Sequence, residues 1–145
     1  MLWADDWEYG TMAIIICVTF HAIALTFLAR LIFHEKMRRL RDGSLLISAL
    51  MFSLFALGAM VLHAGEAAVW AALYLYIGAV KDFPSAYLHS LGAFTTLGDV
   101  TVVFHMRWRL LIQLEALNGA VALGLTTALL YSSARRLQQI VDTGQ

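Results

Sequence analysis

Residues 93–100, Ala-Phe-Thr-Thr-Leu-Gly-Asp-Val, form a short polar stretch between two apolar segments of the chain. The preceding segment opens at Pro84, and the following one runs through Leu130. The run Thr-Thr-Leu-Gly-Asp is too polar to face lipid, and exposed backbone inside a bilayer is tolerated only within protein or against a water-filled cavity. This stretch therefore decides how the apolar segments around it can be arranged.

The composition indicates a membrane protein. Apolar residues make up 61% of the 145 residues and charged residues 14%, which is too apolar for a soluble domain. Since one membrane-spanning helix needs about 20 largely apolar residues, the chain has room for three spans and no soluble enzymatic or ligand-binding domain. No nucleophile–base set is evident, so we expect no enzyme activity, no cofactor and no nucleic-acid partner. Cys17 is the single cysteine, which excludes an internal disulfide.

The apolar segments divide the chain into three predicted parts. Residues 1–42 hold a first span, from about Gly10 to Phe33, and a basic loop. Residues 137–145 are expected to form a short cytoplasmic tail. The part between them, residues 43–136, is predicted to contain an outer helix over 44–80, a short helix over 84–95, a loop over 95–100 and an inner helix over 108–133.

The distribution of basic residues predicts the topology. Because basic loops remain in the cytoplasm, residues 34–42 and the Arg135-Arg136 pair are both placed there, which requires an even number of crossings between them. Segments 44–80 and 108–131 supply two crossings, so residues 84–99 must enter the membrane and return on the outer side. We therefore expect a multi-pass protein of the inner (plasma) membrane, with its N-terminus outside and its C-terminus in the cytoplasm.

The short helix over 84–95 has the length of a segment that enters the membrane and stops. Pro84 suits the first turn of a helix, and about three turns cover half a membrane thickness. Its partly negative C-terminal end would then point toward the membrane centre and favour a cation there. The alternative is an amphipathic helix at the membrane surface, followed by a polar loop.

The order of these segments resembles the tetrameric potassium-channel family in its small prokaryotic form. The resemblance covers roughly residues 44–133 and leaves the first span outside. It implies an all-α membrane protein with three transmembrane helices plus a re-entrant pore helix and a selectivity filter, assembled as a homotetramer around a central pore, with membrane lipids as its other partners. The residues that carry it are Ala86-Tyr87-Leu88-His89-Ser90, Phe94-Thr95-Thr96-Leu97-Gly98-Asp99, Trp108-Arg109-Leu110-Leu111 and Glu115-Ala116-Leu117-Asn118-Gly119.

The resemblance implies an ion pathway with an altered filter. In the family, carbonyl oxygens of Thr-Val-Gly-Tyr-Gly replace the hydration shell of potassium; Thr96, Leu97 and Gly98 match its first three positions. Asp99 stands where the family has Tyr, or, with a gap, is the Asp that follows the filter. The implied function is ion transport by a weakly selective cation channel for K⁺ or Na⁺, with a divalent ion attracted by a ring of Asp99 carboxylates. Thr95 completes the predicted filter. The alternative is a non-conducting accessory or structural membrane subunit.

The inner helix supplies candidate cavity and gating residues. Asn118 and Thr126 are polar within the span, and Gly119 could permit close helix approach or bending. Small residues are equally common in ordinary helix packing, which stays an alternative for Gly119. We expect Glu115, one turn before Asn118, to brace the filter region through hydrogen bonds.

Three ionisable residues lie inside the outer spans. His63 and Glu66 are one helical turn apart, and His21 is expected at a similar depth in the antiparallel first span. An intramembrane carboxylate is a functional candidate by default. The three side chains predict a site for Zn²⁺ or another transition metal, a proton-binding or pH-sensing cluster, or a structural pairing of Glu66 with His63 or with the backbone of the pore loop.

Overall fold

The computed structural model describes residues 3–34, 45–98 and 106–143 of the chain. The regular secondary structure of these residues is entirely helical. Three helical segments are long and apolar enough to cross a membrane: Ala4–Phe33, Leu46–Tyr76 and Arg109–Arg136. The described part of the chain is therefore all-α, with three candidate spans that fit a multi-pass membrane protein. The helices are α1 (Ala4–Ala29, continued by a π-helical turn over Arg30–His34), α2 (Leu45–Tyr76), α3 (Phe83–Phe94) and α4 (Arg109–Thr143, preceded by a 3₁₀ turn over Met106–Trp108).

The ends of α1 and α2 follow from local chemistry. α1 begins at Ala4, earlier than the predicted Gly10, and carries Asp5 and Asp6 in its first turn, where negative charge is favourable beside the positive end of the helix dipole. α2 ends at Tyr76 because the chain turns through Gly78, whose φ of 69° lies in the left-handed region. Glycine reaches that region without the steric penalty of a Cβ.

α3 is a short helix with a defined start. The side chain of Asp82 accepts a hydrogen bond from the backbone N–H of Ser85 at 3.0 Å, and Pro84 occupies the first turn. Both features are favoured at helix N-termini. The helix covers Phe83–Phe94, within one residue of the predicted range at each end.

α1 and α4 run parallel. At one end of the bundle, Asp5 pairs with Arg107, just before α4. Further along both helices, the ring of His21 contacts the hydroxyl of Thr126. The N-terminal ends of α1 and α4 therefore lie together, and we call this the Asp5 end of the bundle.

α2 runs antiparallel to α1 and α4. His21 in the middle of α1 contacts Glu66 of α2, whereas Phe33 beyond the end of α1 packs against Phe55, nearer the start of α2. The C-terminal end of α2 thus lies at the Asp5 end, where α3 also begins. Arg30 and Arg136 lie at the opposite end, on either side of a cavity between α1 and α4.

Two apolar clusters fill the bundle. Trp70, Tyr74 and Leu111 are fully buried in the cluster nearer the Asp5 end, and Phe55 and Met51 are buried in the other. Large apolar side chains also cover the outside of the helices, as expected where lipid rather than water is the neighbour. On α1 the exposed side chains include Ile15, Ile16, Phe20, Ile23 and Phe27.

Candidate functional site

α3 follows α2 in the opposite direction, from the Asp5 end toward the middle of the bundle. Part-way along α3, the Ser90 hydroxyl contacts the Ala67 carbonyl of α2 at 2.7 Å. At the end of α3, the Phe94 ring lies 5.5 Å from the ring of His63. Because His63 is near the middle of the candidate span Leu46–Tyr76, α3 ends beside the midpoint of α2.

The end of α3 rests on Gly119 of α4. A Cβ built on Gly119 would lie 2.0 Å from the carbonyl oxygen of Phe94 and 2.7 Å from its carbonyl carbon. No side chain larger than hydrogen fits against backbone at that separation. The structure therefore places Gly119 as the close contact between α3 and α4; a role of Gly119 in gating stays a prediction.

The predicted filter residues follow directly after α3 and turn back on it. The N–H of Gly98 donates to the carbonyl of Gly92 at 2.9 Å, and the N–H of Thr96 donates to that of Ala93 at 3.0 Å. Thr96 and Gly98 have φ values of 60° and 75°, a region that β-branched residues rarely enter. Residues 95–98 are all exposed on the single chain, and Leu97 is 85% exposed. The predicted filter residue Asp99 lies outside the described residues.

A buried carboxyl group ties three helices together beside α3. Glu115 of α4 is fully buried. It accepts a hydrogen bond from the Tyr74 hydroxyl of α2 at 2.5 Å and contacts the Ser90 hydroxyl of α3. Buried polar groups that are hydrogen-bonded on several sides fix the relative positions of the elements that carry them. Glu115 thus braces α3 itself, rather than the loop that follows it.

The structure brings His21, His63 and Glu66 together near the C-terminal end of α3, where the Phe94 ring contacts the ring of His63. The Nδ1 atom of His21 lies 2.9 Å from Oε1 of Glu66, and Nδ1 of His63 lies 3.4 Å from Oε2. His21 is fully buried, Glu66 is 2% exposed, and the side chain of His63 is 15% exposed. One ligand atom from each residue can be chosen so that all three lie within 4.8 Å of one another.

Thr126 closes the cluster from α4. Its hydroxyl oxygen lies 3.3 Å from Nε2 of His21 and 3.2 Å from Nε2 of His63. The two imidazole rings are stacked, with centroids 5.2 Å apart. Each ring is therefore held on one side by Glu66 and on the other by Thr126. We call these four residues the histidine cluster.

Asn118 lies inside the protomer, and Thr126 is partly buried. Asn118 is 2% exposed, and within the described residues its side-chain oxygen and nitrogen have no hydrogen-bond partner. The sequence assigned both residues to a central cavity, but in a single chain Thr126 contacts the histidines and Asn118 faces the interior. Their role in a cavity or in gating stays a prediction.

The hydroxyl partners of Glu115 and of the two histidines were not predicted from the sequence. Tyr74 and Ser90 contact Glu115, and Thr126 completes the histidine cluster. One signal for these partners was in the sequence, since an intramembrane acidic residue requires polar partners at its own depth. The depth of each polar residue, however, follows only once the directions of the helices are known.

Comparison with protein-family models, with curated proteins and with solved structures finds no match to this chain.

Proposed function

We propose that several copies of this chain assemble around residues 95–98 and form a cation-conducting pore of potassium-channel-like architecture. The permeant ions are monovalent cations, K⁺ or Na⁺, and the selectivity between them is weak because the filter sequence departs from the family pattern after Gly98. The proposal keeps Thr95, Thr96, Leu97, Gly98 and Asp99 as the ion pathway.

The observation that carries the proposal is the depth at which α3 ends. Phe94 lies beside His63 of α2 and on Gly119 of α4, so the loop that follows begins near the middle of two candidate spans. The four residues of that loop are exposed on the single chain. Since backbone at such depth is not tolerated against lipid, residues 95–98 need water and further protein around them. Other copies of the same chain would supply the surrounding protein and enclose the water.

The chemistry of the loop suits a cation. The C-terminal end of α3 carries partial negative charge and points toward the loop. Backbone carbonyl oxygens and hydroxyl groups of this kind can replace the hydration shell of a monovalent ion. Four copies are proposed from the family resemblance.

The exposed face of α4 supports a pore lined by small and polar residues. Ala120, Gly124 and Thr127 are exposed on the single chain and recur every three or four residues, which places them on one side of the helix. We assign the cavity lining to this face. Gly119 then contacts the end of α3, and Thr126 contacts the two histidines.

Ion flux into liposomes tests the proposal. Purified wild-type protein should conduct K⁺ and Na⁺ at comparable rates, and Asp99→Asn should change the rate or the ratio. Gly98→Ala should lower the flux at least tenfold, because Gly98 has a φ of 75° and a Cβ there meets no other atom, so that the substitution strains only the loop backbone. Gly65→Ala is the matched control, since a Cβ on Gly65 also meets no atom within 4 Å and the residue lies in a regular part of α2.

The outcomes separate the leading proposal from its alternative. A stable oligomer without flux of any cation would favour a non-conducting accessory subunit. Equal flux through wild type and Gly98→Ala would remove the loop from the ion pathway. A protein that stays monomeric in bilayers would contradict the pore altogether.

A further inference from the structure

The histidine cluster has no task in the proposed pore. Its polar atoms are arranged symmetrically about Glu66, whose two carboxylate oxygens each face the Nδ1 atom of a different imidazole, at 2.9 Å and 3.4 Å. A carboxylate in the bilayer interior is costly unless opposite charge or hydrogen bonds compensate it. The ion-pair partners of Glu66 within the described part of the chain are the two histidines, with no Lys or Arg among them.

The contacts of Thr126 determine whether the Nδ1 atoms of the two rings turn a proton or a lone pair toward Glu66. A hydroxyl oxygen can accept two hydrogen bonds, and Thr126 Oγ1 lies within 3.3 Å of Nε2 on both rings. When each ring donates its Nε2–H to Thr126, both Nδ1 atoms turn lone pairs toward the carboxylate. Lone pairs and carboxylate oxygens repel each other, so this arrangement is stable only with a cation between them.

The hydrogen bonds leave part of the cluster unpartnered. Nδ1 of His63 and Oε2 of Glu66 are buried and form no hydrogen bond with any described residue. Leaving such atoms unsatisfied away from water is unfavourable. A metal ion coordinated by both atoms would satisfy them together, and Nδ1 of His21, 2.9 Å from Oε1 of Glu66, is close enough to serve as a third ligand.

We propose that His21, His63 and Glu66 bind one divalent transition-metal ion, with Zn²⁺ as the ion that best fits the donor set. Two imidazoles and one carboxylate form a common protein site for zinc. Zinc bonds of about 2.0–2.2 Å in tetrahedral geometry require only small movements of three ligand atoms that already lie within 4.8 Å of one another. Thr126 would orient both rings from the opposite side, as groups that hydrogen-bond the second nitrogen of a metal-bound histidine do. The partly exposed side chain of His63 offers a route for the ion to enter.

The proposal does not depend on conduction, because the ligands lie between α1 and α2 and not in the exposed loop. It is tested on the full-length protein carrying an affinity tag without histidine. After treatment with a chelator, the protein in lipid nanodiscs is titrated with Zn²⁺ alone, and the bound metal is counted per chain. Wild type should bind one equivalent. Titration with Co²⁺ should give the intense visible absorption of a tetrahedral nitrogen and oxygen site.

The variants separate ligands from neighbours. Glu66→Gln and His63→Gln should lose the tight equivalent. Thr126→Val, which keeps all three ligands, should weaken binding by roughly 10–100-fold, the usual effect of removing a group that orients a metal ligand. Thr127→Val is the matched control, because the Thr127 hydroxyl bonds to the Leu123 carbonyl of its own helix and should leave binding unchanged.

The Zn²⁺ titration of wild type can refute the proposal by itself, so the test does not depend on whether every variant folds. Less than half an equivalent of bound Zn²⁺ in folded wild type would refute the site. Binding that persists in folded Glu66→Gln would place the metal elsewhere, as would its loss in folded His89→Gln, which changes a buried histidine of α3 outside the cluster. If wild type binds no metal and ¹⁵N NMR shows that one of the two imidazoles carries a proton on both nitrogens, the cluster binds a proton instead of a metal ion.

Discussion

Replacing Gly119 by alanine tests how firmly α4 holds the end of α3. The added Cβ would lie 2.0, 2.7 and 2.9 Å from the oxygen, carbonyl carbon and Cα of Phe94. Relief requires α3 and α4 to separate by about 1.4 Å before the nearest of these distances reaches ordinary contact at 3.4 Å. The obstructing atoms belong to backbone that continues into the hydrogen-bonded turn at Thr96 and Gly98, so no side-chain rotation can remove the clash.

We expect Gly119→Ala to lower the free energy of unfolding by about 3 kcal/mol, at the upper end of the range for overpacking. Two other glycines provide a graded comparison. At Gly10 the nearest atom to a new Cβ is Cδ1 of Leu114, at 2.5 Å, the end of a flexible side chain, so a cost near 1 kcal/mol is expected. At Gly124 nothing lies within 4 Å, and alanine should stabilise the helix by up to about 1 kcal/mol.

The assay is unfolding of the purified protein by SDS titration in mixed micelles, followed by far-ultraviolet circular dichroism. The order of stability should be Gly124→Ala, wild type, Gly10→Ala and then Gly119→Ala. If Gly119→Ala is as stable as Gly124→Ala, the close approach of α3 to α4 is not present in the folded protein, and the position assigned to the loop fails with it.

Three further predictions concern α3 and the interior. Asp82→Ala should cost about 1 kcal/mol in the same titration, since it removes the acceptor for the Ser85 N–H, whereas Asp82→Asn should retain most of the stability. Tyr74→Phe should cost about 1–3 kcal/mol, the range for leaving a buried polar group without its hydrogen-bond partner, because Glu115 loses a buried donor; Tyr76→Phe, at an 80% exposed position, should cost nothing measurable. Cys17 is 2% exposed, so a thiol reagent should modify it only after unfolding, and rapid labelling of the folded protein would contradict the packing of α1.

The number and order of helices could be predicted from hydropathy, because about 20 apolar residues in a row have few alternatives to a span. The first and last residues of the helices could be predicted less closely. α1 starts at Ala4 rather than near Gly10 because acidic residues, which hydropathy places outside a span, are favourable in a first helical turn. α4 continues to Thr143, beyond the predicted end at residue 133, because hydropathy marks where the apolar run stops and a helix can continue past that point into polar sequence.

The direction in which the polar residues of α4 point could not be predicted from the sequence of α4 alone. Asn118 and Thr126 were expected to face a shared cavity, yet a single chain buries Asn118 and turns Thr126 toward His21. The side of a helix that faces the interior is set by its neighbours, and here α1 occupies a side of α4 that the resemblance leaves open. The first span, which lies outside the family pattern, therefore decides the surroundings of Thr126.

Phe94 lies between the histidine cluster and the exposed loop over residues 95–98. Its ring packs against His63 of the histidine cluster, and its carbonyl rests on Gly119. The next four residues form the exposed loop. An ion bound between His63 and Glu66 would fix the His63 ring, and with it the surface on which Phe94 lies. Packed interiors transmit such small displacements because they contain little free volume. If metal binding alters the rate of cation flux, the effect should therefore be lost in Phe94→Ala even when the metal still binds, which distinguishes coupling through this ring from a direct effect of the metal on the pore.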